Sequence, residues 1–183
     1  QNEFRFHFPH EHRPAARNAK TTPLTPVMAK ENAEFTVING WERVEYIKPS
    51  EDFHPSLSFH FDEAFDIVAN EVKNVQNNVG LTEVNGFNRF EISGSDAESF
   101  IDRMFCGNIT HKIGRVGLGY LLNDFGMIKS EATISNLPSS DRGPKRIWYG
   151  SAAASEFHDM DWLKQYLKAD EEVEIKSLTN DQT

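Results

Sequence analysis

Two runs that read as strands, residues 115–122 and 127–136, are separated only by Asn123-Asp124-Phe125-Gly126. A link this short, rich in Asn, Asp and Gly, joins neighbouring strands that run antiparallel. A doubly wound parallel sheet needs a helix-length crossover at every such step, so this hairpin argues against one. Helical patterns lie on either side of it. The expected class is therefore α+β, with a mostly antiparallel sheet and packed helices.

The other elements follow from periodicity. Phe65, Val68, Val72, Val75 and Val79 are spaced 3, 4, 3 and 4 apart and make one apolar helical stripe, which Gly80 ends. Residues 87–93 read as a strand, and Gly94 turns the chain. Ser95-Asp96-Ala97-Glu98 has the pattern of a capping box. Its helix turns Ala97, Phe100, Ile101, Met104 and Phe105 inward and stops at Gly107. A third strand is expected at 145–150, a helix over about 154–168, and a half-exposed strand at 172–178. Residues 1–26 carry Pro9, Pro14, Pro23 and Pro26 and read as irregular. A short helix and an extended piece fit residues 26–39, and residues 47–62 form a second loop.

Charge and composition remove whole classes of function. Lys and Arg number 19 against 28 Asp and Glu, a formal net charge of −9 in 183 residues. Nucleic-acid binders need a basic face, and anionic membrane surfaces repel an acidic chain. No run approaches the ~18 apolar residues of a membrane-spanning helix. Cys106 is the single cysteine, which excludes a disulfide framework or a cysteine-built zinc site within the chain. It ends an apolar helical stripe and reads as a buried structural thiol. The opening Gln1 and the trailing Thr179-Asn180-Asp181-Gln182-Thr183 read as a piece of a longer protein.

Few residues suggest chemistry by themselves. His7, His10 and His12 crowd into six positions, with His54 and His60 further on, but no metal-binding helical spacing is present. No metal ligand is assigned. His111 and His158 read as surface or packing residues. Gly114, Gly117 and Gly119 match neither the dinucleotide fingerprint nor a phosphate loop and read as strand glycines that admit a close neighbour. Glu131 follows the hairpin on a strand. It is either a solvated strand-end carboxylate or one that faces a pocket and handles a proton. Trp41, Tyr46, Phe87, Phe90, Tyr120, Phe125, Trp148 and Tyr149 lie near predicted strands, where core packing or a planar heteroaromatic ligand would use them.

Several blocks resemble one family in order along the chain. Gly40-Trp41-Glu42-Arg43 is similar to the Gly-Trp-Glu-Arg-Pro signature of the dimethylglycine and sarcosine dehydrogenase family, with Val44 in place of Pro. Val79-Gly80-Leu81, then Phe90 through Ala97, resembles the entry to the folate-binding domain of the glycine-cleavage T-protein. Gly114-Arg115-Val116, Leu122-Asn123, Gly126, Glu131 and Thr133 resemble its hairpin. Gly150-Ser151, His158-Asp159 and Trp162-Leu163 resemble a segment of the dehydrogenase branch.

The resemblance implies a partial aminomethyltransferase-like, folate-binding domain. Residues 1–62 would be a linker and the end of a flavin-side central region. Residues 63–183 would be the N-terminal part of the folate domain. The whole would be a flavin-dependent N-methyl amine dehydrogenase of the dimethylglycine type, passing a one-carbon unit to tetrahydrofolate. FAD is implied only for a flavin domain outside this chain. Implied partners are that domain, the second half of the folate domain and a small N-methyl amine, with no nucleic acid and no membrane. The compartment would be cytoplasmic, or the mitochondrial matrix in a eukaryote.

The family's catalytic carboxylate lies in an Asp-Asp pair, which here reads Ser130-Glu131, so the role falls to Glu131. Asn123 would position the pterin or the hairpin itself. Leu118 stands where the family often has Tyr, and Tyr120, two positions on, would share its face. Tyr120, Leu122, Asn123 and Tyr149 are the implied cofactor-binding residues. Two alternatives remain. One is a folate-binding or subunit-docking module without chemistry. The other is a folate-dependent aminomethyl- or methyltransferase acting on another methyl donor.

Overall fold

The structure, a computed structural model, describes residues 6–108, 112–139 and 143–181. His111 lies outside the described residues. The chain divides into two compact units, residues 1–85 and 86–183.

In the first unit, α1 (Thr25–Lys30) leads into an antiparallel pair, β1 (Ala33–Ile38) and β2 (Trp41–Ile47). The Trp-Glu-Arg block therefore begins a strand. Its Trp41 and Glu42 are both buried, and Tyr46 follows them inward. Helix α2 (Glu63–Asn77) matches the apolar stripe, and the Asp62 carboxylate caps it by accepting the Ala64 N–H at 3.0 Å. The stripe itself is not buried: Phe65 is 51% exposed and Val75 58%. A two-stranded sheet offers a helix little surface, and only Ala64 of α2 is buried. Val72, Val75 and Val79 instead line an open groove of about 610 Å³ with Leu24, Met28, Val44 and Ile47.

The second unit holds β3 (Phe87–Gly94), α3 (Ala97–Met104), β4 (Phe105–Cys106), β5 (Val116–Leu122), β6 (Ile128–Asn136), β7 (Lys145–Ala152), α4 (Glu156–Gln165) and β8 (Glu174–Ser177). A single 3-10 turn, Ala153–Ser155, precedes α4. The strands form one sheet in the order β4-β5-β6-β7-β3-β8, with every neighbouring pair antiparallel. The expected α+β class is what the chain adopts.

One face of this sheet is covered. Phe90, Ile92, Leu121, Ala132, Ile134, Ile147 and Tyr149 pack with Phe100 and Ile101 of α3 and Leu163 of α4. Successive side chains in a strand point to opposite faces. The residues between these therefore line the other, open face.

Two expectations are corrected here. The capping box does not form. Asp96 does begin α3, but its carboxylate accepts the Glu172 N–H at 2.9 Å, and Ser95 Oγ donates to Glu172 Oε2 at 2.9 Å. These groups tie the turn to the segment before β8 rather than to the helix. Cys106 is exposed, not buried. It belongs to a two-residue strand at the sheet edge, where Phe105 takes the inward position and alternation sends the thiol out. The reading of the strand glycines holds at Gly119. A Cβ there would stand 2.6 Å from the Cys106 carbonyl oxygen and from the Phe105 ring.

Candidate functional site

The hairpin sets the geometry of the open face. Tyr120 on β5 is paired with Glu131 on β6, and Leu118 is paired with Thr133. Tyr120 and Leu118 therefore share the face that carries Glu131. Val116 and Leu118 are 58% and 59% exposed and leave an apolar strip beside the carboxylate. Among the described residues, no hydrogen bond or ion pair engages the Glu131 side chain. Leu122 lies half-exposed beyond an irregularity in the register and pairs with Ile128.

Asn123 organises the turn. Its Oδ1 accepts the backbone N–H of Phe125 at 3.0 Å and of Met127 at 2.9 Å, and its own N–H donates to the Met127 carbonyl at 2.9 Å. These bonds hold the hairpin, which is one of the two roles left open by the sequence.

Further along the open face, Trp148 lies on β7 two residues before Gly150. A Cβ on Gly150 would overlap the Trp148 ring and come 3.1 Å from Thr133 Oγ1. Gly150 is paired with Thr133. The indole thus lies down on the strand surface along the row that Thr133 shares with Glu131.

Tyr149 is separated from this group. It is fully buried on the covered face, and its hydroxyl donates to Asp159 Oδ2 at 2.8 Å. It does not reach the face that carries Glu131 and Tyr120, because alternation sends it through the sheet. Burial, followed by the Asp159 charge, drives its pKa strongly upward, so it stays a neutral donor.

Asp159 is the residue that sequence reasoning missed. It is completely buried, on α4. One oxygen, Oδ2, accepts hydroxyls from Ser130 at 2.9 Å, Tyr149 at 2.8 Å and Ser151 at 2.6 Å. The other oxygen is hydrogen-bonded to His158 Nδ1 at 3.0 Å. Ser151 also accepts from Asn88 Nδ2 at 2.8 Å, and Asn88 Oδ1 accepts from Thr179 Oγ1 at 3.2 Å. The available signal was the His158-Asp159 pair within the segment that resembles the dehydrogenase branch, which by itself assigns no role to the carboxyl.

Two histidines of the first unit, His10 and His12, are held by one carboxylate. Glu45 bonds His10 Nδ1 at 2.7 Å and His12 Nε2 at 3.0 Å. Among the described residues no group of three or more His, Cys, Asp or Glu side chains has an arrangement suited to a metal ion. No described helix is long and apolar enough to cross a membrane.

Comparison with known proteins bears on this geometry. The profile of the GCVT N-terminal domain family matches residues 24–183. The chain belongs to this family. The match begins ahead of residue 63, where the sequence suggested that the folate-side domain starts. Human mitochondrial dimethylglycine dehydrogenase is 29% identical over 78% of this chain and 16% of its own length. A mouse mitochondrial pyruvate dehydrogenase phosphatase regulatory subunit is 25% identical over 89% and 19%. A Corynebacterium sarcosine oxidase subunit alpha is 28% identical over 83% and 14%. The resemblance to the dimethylglycine and sarcosine dehydrogenase family is thus borne out, at modest identity. The chain spans less than a fifth of the length of these three relatives.

A crystal structure of the glycine cleavage system aminomethyltransferase T from Bartonella henselae shares the fold. Its TM-score is 0.58 at 18% identity, covering 87% of this chain and 38% of that one. The aminomethyltransferase-like architecture of this GCVT N-terminal domain chain is therefore shown.

Proposed function

We propose that this GCVT domain is the folate side of a flavin-dependent N-methyl amine dehydrogenase of the dimethylglycine type. The observation that carries the reading is Glu131. It is a carboxylate with no partner among the described residues, paired across the hairpin with Tyr120 and flanked by the apolar strip of Leu118 and Val116. An unpaired acid beside a phenol and an apolar surface suits a flat heterocycle that carries amine N–H groups. Tetrahydrofolate is such a molecule. When bound, it supplies the amine nitrogens that accept a one-carbon unit, giving methylenetetrahydrofolate.

The residues on the open face would divide the work. The Glu131 carboxylate orients the incoming amine and stabilises positive charge that develops on nitrogen. It also accepts the proton released as the new carbon–nitrogen bond forms. Tyr120 and Leu122 border the heterocycle, and Asn123 keeps the hairpin at a fixed height. Tyr149 supports the sheet from below rather than touching a ligand.

This reading places the flavin in another part of the enzyme, since the chain carries no dinucleotide fingerprint and its described sheets are antiparallel. Amine oxidation is therefore assigned to other parts of the enzyme, which would also complete the folate site. The mitochondrial dimethylglycine dehydrogenases among the relatives support a matrix location in a eukaryote.

The decisive experiment is Glu131→Gln in the assembled enzyme. One-carbon transfer to tetrahydrofolate should be lost, while folate affinity stays within about threefold, since Gln keeps the shape and an acceptor oxygen. Unchanged transfer would overturn the role of Glu131. A second reading, a binding or regulatory module without chemistry, is favoured by the match to a phosphatase regulatory subunit. It predicts that folate or a protein partner binds and that Glu131→Gln changes no rate.

A further inference from the structure

The polar network beneath the sheet takes no part in the chemistry just described. Yet Asp159 has been taken fully out of water, which is costly for a carboxyl unless its hydrogen bonds are good. For stability alone, packed apolar residues of similar volume often serve as well. The arrangement of the network points to another role.

Asp159 Oδ2 ties Ser130 of β6 to Tyr149 and Ser151 of β7. Ser151 passes the connection to Asn88 of β3. Each tied residue is the sequence neighbour of one on the open face: Ser130 of Glu131, Tyr149 and Ser151 of Gly150, and Asn88 of Arg89. Adjacent residues in a strand project through opposite faces from one backbone. Fixing the height of Ser130 below the sheet therefore fixes the height of Glu131 above it.

We infer that Asp159 and Ser130 are positioning residues that set where the Glu131 carboxylate stands relative to the reacting amine. The inference rests on the catalytic reading of Glu131 given above. The anchor is a single acceptor oxygen shared by three hydroxyls on two adjacent strands, so losing one hydroxyl frees β6 alone. Ser130 is the informative position. It can lose its hydroxyl while Asp159 keeps Tyr149, Ser151 and His158.

The test uses three variants of the assembled enzyme: Ser130→Ala, Ser130→Thr and Glu131→Gln. Each is assayed for one-carbon transfer and tetrahydrofolate affinity well below its melting temperature. Ser130→Ala should lower kcat about tenfold or more with KM little changed, because misplacement of a catalytic group by a fraction of an ångström weakens the transition state more than binding. Ser130→Thr keeps the hydroxyl and suits a strand, and should restore most of kcat.

Wild-type kcat in folded Ser130→Ala, with Glu131→Gln inactive, overturns the positioning role and leaves the reading of Glu131 standing. A loss in Ser130→Ala that Ser130→Thr does not restore assigns the effect to packing and also overturns it. Wild-type transfer in Glu131→Gln overturns both readings together.

Discussion

Arg17 grips Glu42 at two points, with Nε 3.0 Å from Oε1 and Nη2 2.7 Å from Oε2. Glu42 is the acid of the Gly-Trp-Glu-Arg block and is 2% exposed. Its Oε1 also accepts the Asn18 N–H at 2.6 Å, and Arg17 Nη2 reaches the Phe35 carbonyl at 3.0 Å. The block thus serves to clamp the proline-rich leader onto the β1–β2 pair. Removing one partner of such a pair leaves an uncompensated buried charge. Arg17→Met should cost about 3 kcal/mol, read as a lower urea midpoint at pH 7.

The same pair gives a signed pH dependence. The Arg17 hydrogen bond holds the Glu42 carboxyl below its ordinary value of 4.5, and Arg146 does the same for Glu91. A depressed folded pKa contributes stability above the unfolded value that is lost as pH falls through the folded one. Wild-type stability should therefore drop as pH goes below about 4.5. Arg17→Met should flatten this slope, as equilibrium unfolding across that range would show.

Tyr46 predicts the opposite limb. It is buried, its hydroxyl has no hydrogen-bond partner among the described residues, and burial pushes its pKa up to about 12. The neutral form is favoured in the fold, so stability is full below the ordinary value of 10 and falls as pH rises from 10 towards 12. Tyr46→Phe removes an unsatisfied polar atom. It should raise stability by about 1 kcal/mol and weaken the alkaline loss. A destabilised Phe variant in thermal unfolding would contradict this.

Asn123→Ala removes the acceptor for two backbone N–H groups in the hairpin. The expected cost is about 1–2 kcal/mol in a thermal melt. If its work is to hold the turn, tetrahydrofolate affinity measured below the melting temperature should change little. A loss of affinity larger than that of Glu131→Gln would show direct ligand contact instead.

Gly150→Ala should cost about 1–3 kcal/mol, because its Cβ must displace the Trp148 ring or the Thr133 hydroxyl. The indole would lift from the strand, and its fluorescence emission should shift. An unshifted spectrum with unchanged stability would mean that the ring repacks without strain.

The α+β class and the antiparallel hairpin were legible because they rest on local chemistry. Turn residues at 123–126 and the alternation in 128–136 act over a few positions whatever surrounds them. The helix at 63–77 was legible for the same reason. Its burial was not. Periodicity shows that Phe65 and Val75 share a side, but which surface meets that side depends on what the rest of the chain can offer. A two-stranded sheet offers little.

The candidate site divides the same way. Sequence alone set Ser130 and Glu131 on opposite faces, since period two is a property of any strand. It also put Leu118 and Tyr120 on one side of β5. Only the tertiary structure decided which face is covered, because that depends on where α3 and α4 pack. Their packing sends Glu131 to the open face, and it buries Tyr149, with the same period-two logic, beside Asp159. The role of Asp159 could not be read from local pattern, as it sits on α4 and its partners Ser130, Tyr149 and Ser151 lie on β6 and β7, 8 to 29 residues away. A buried carboxyl acquires its meaning from donors that folding gathers around it, and their positions in the sequence do not show that they converge.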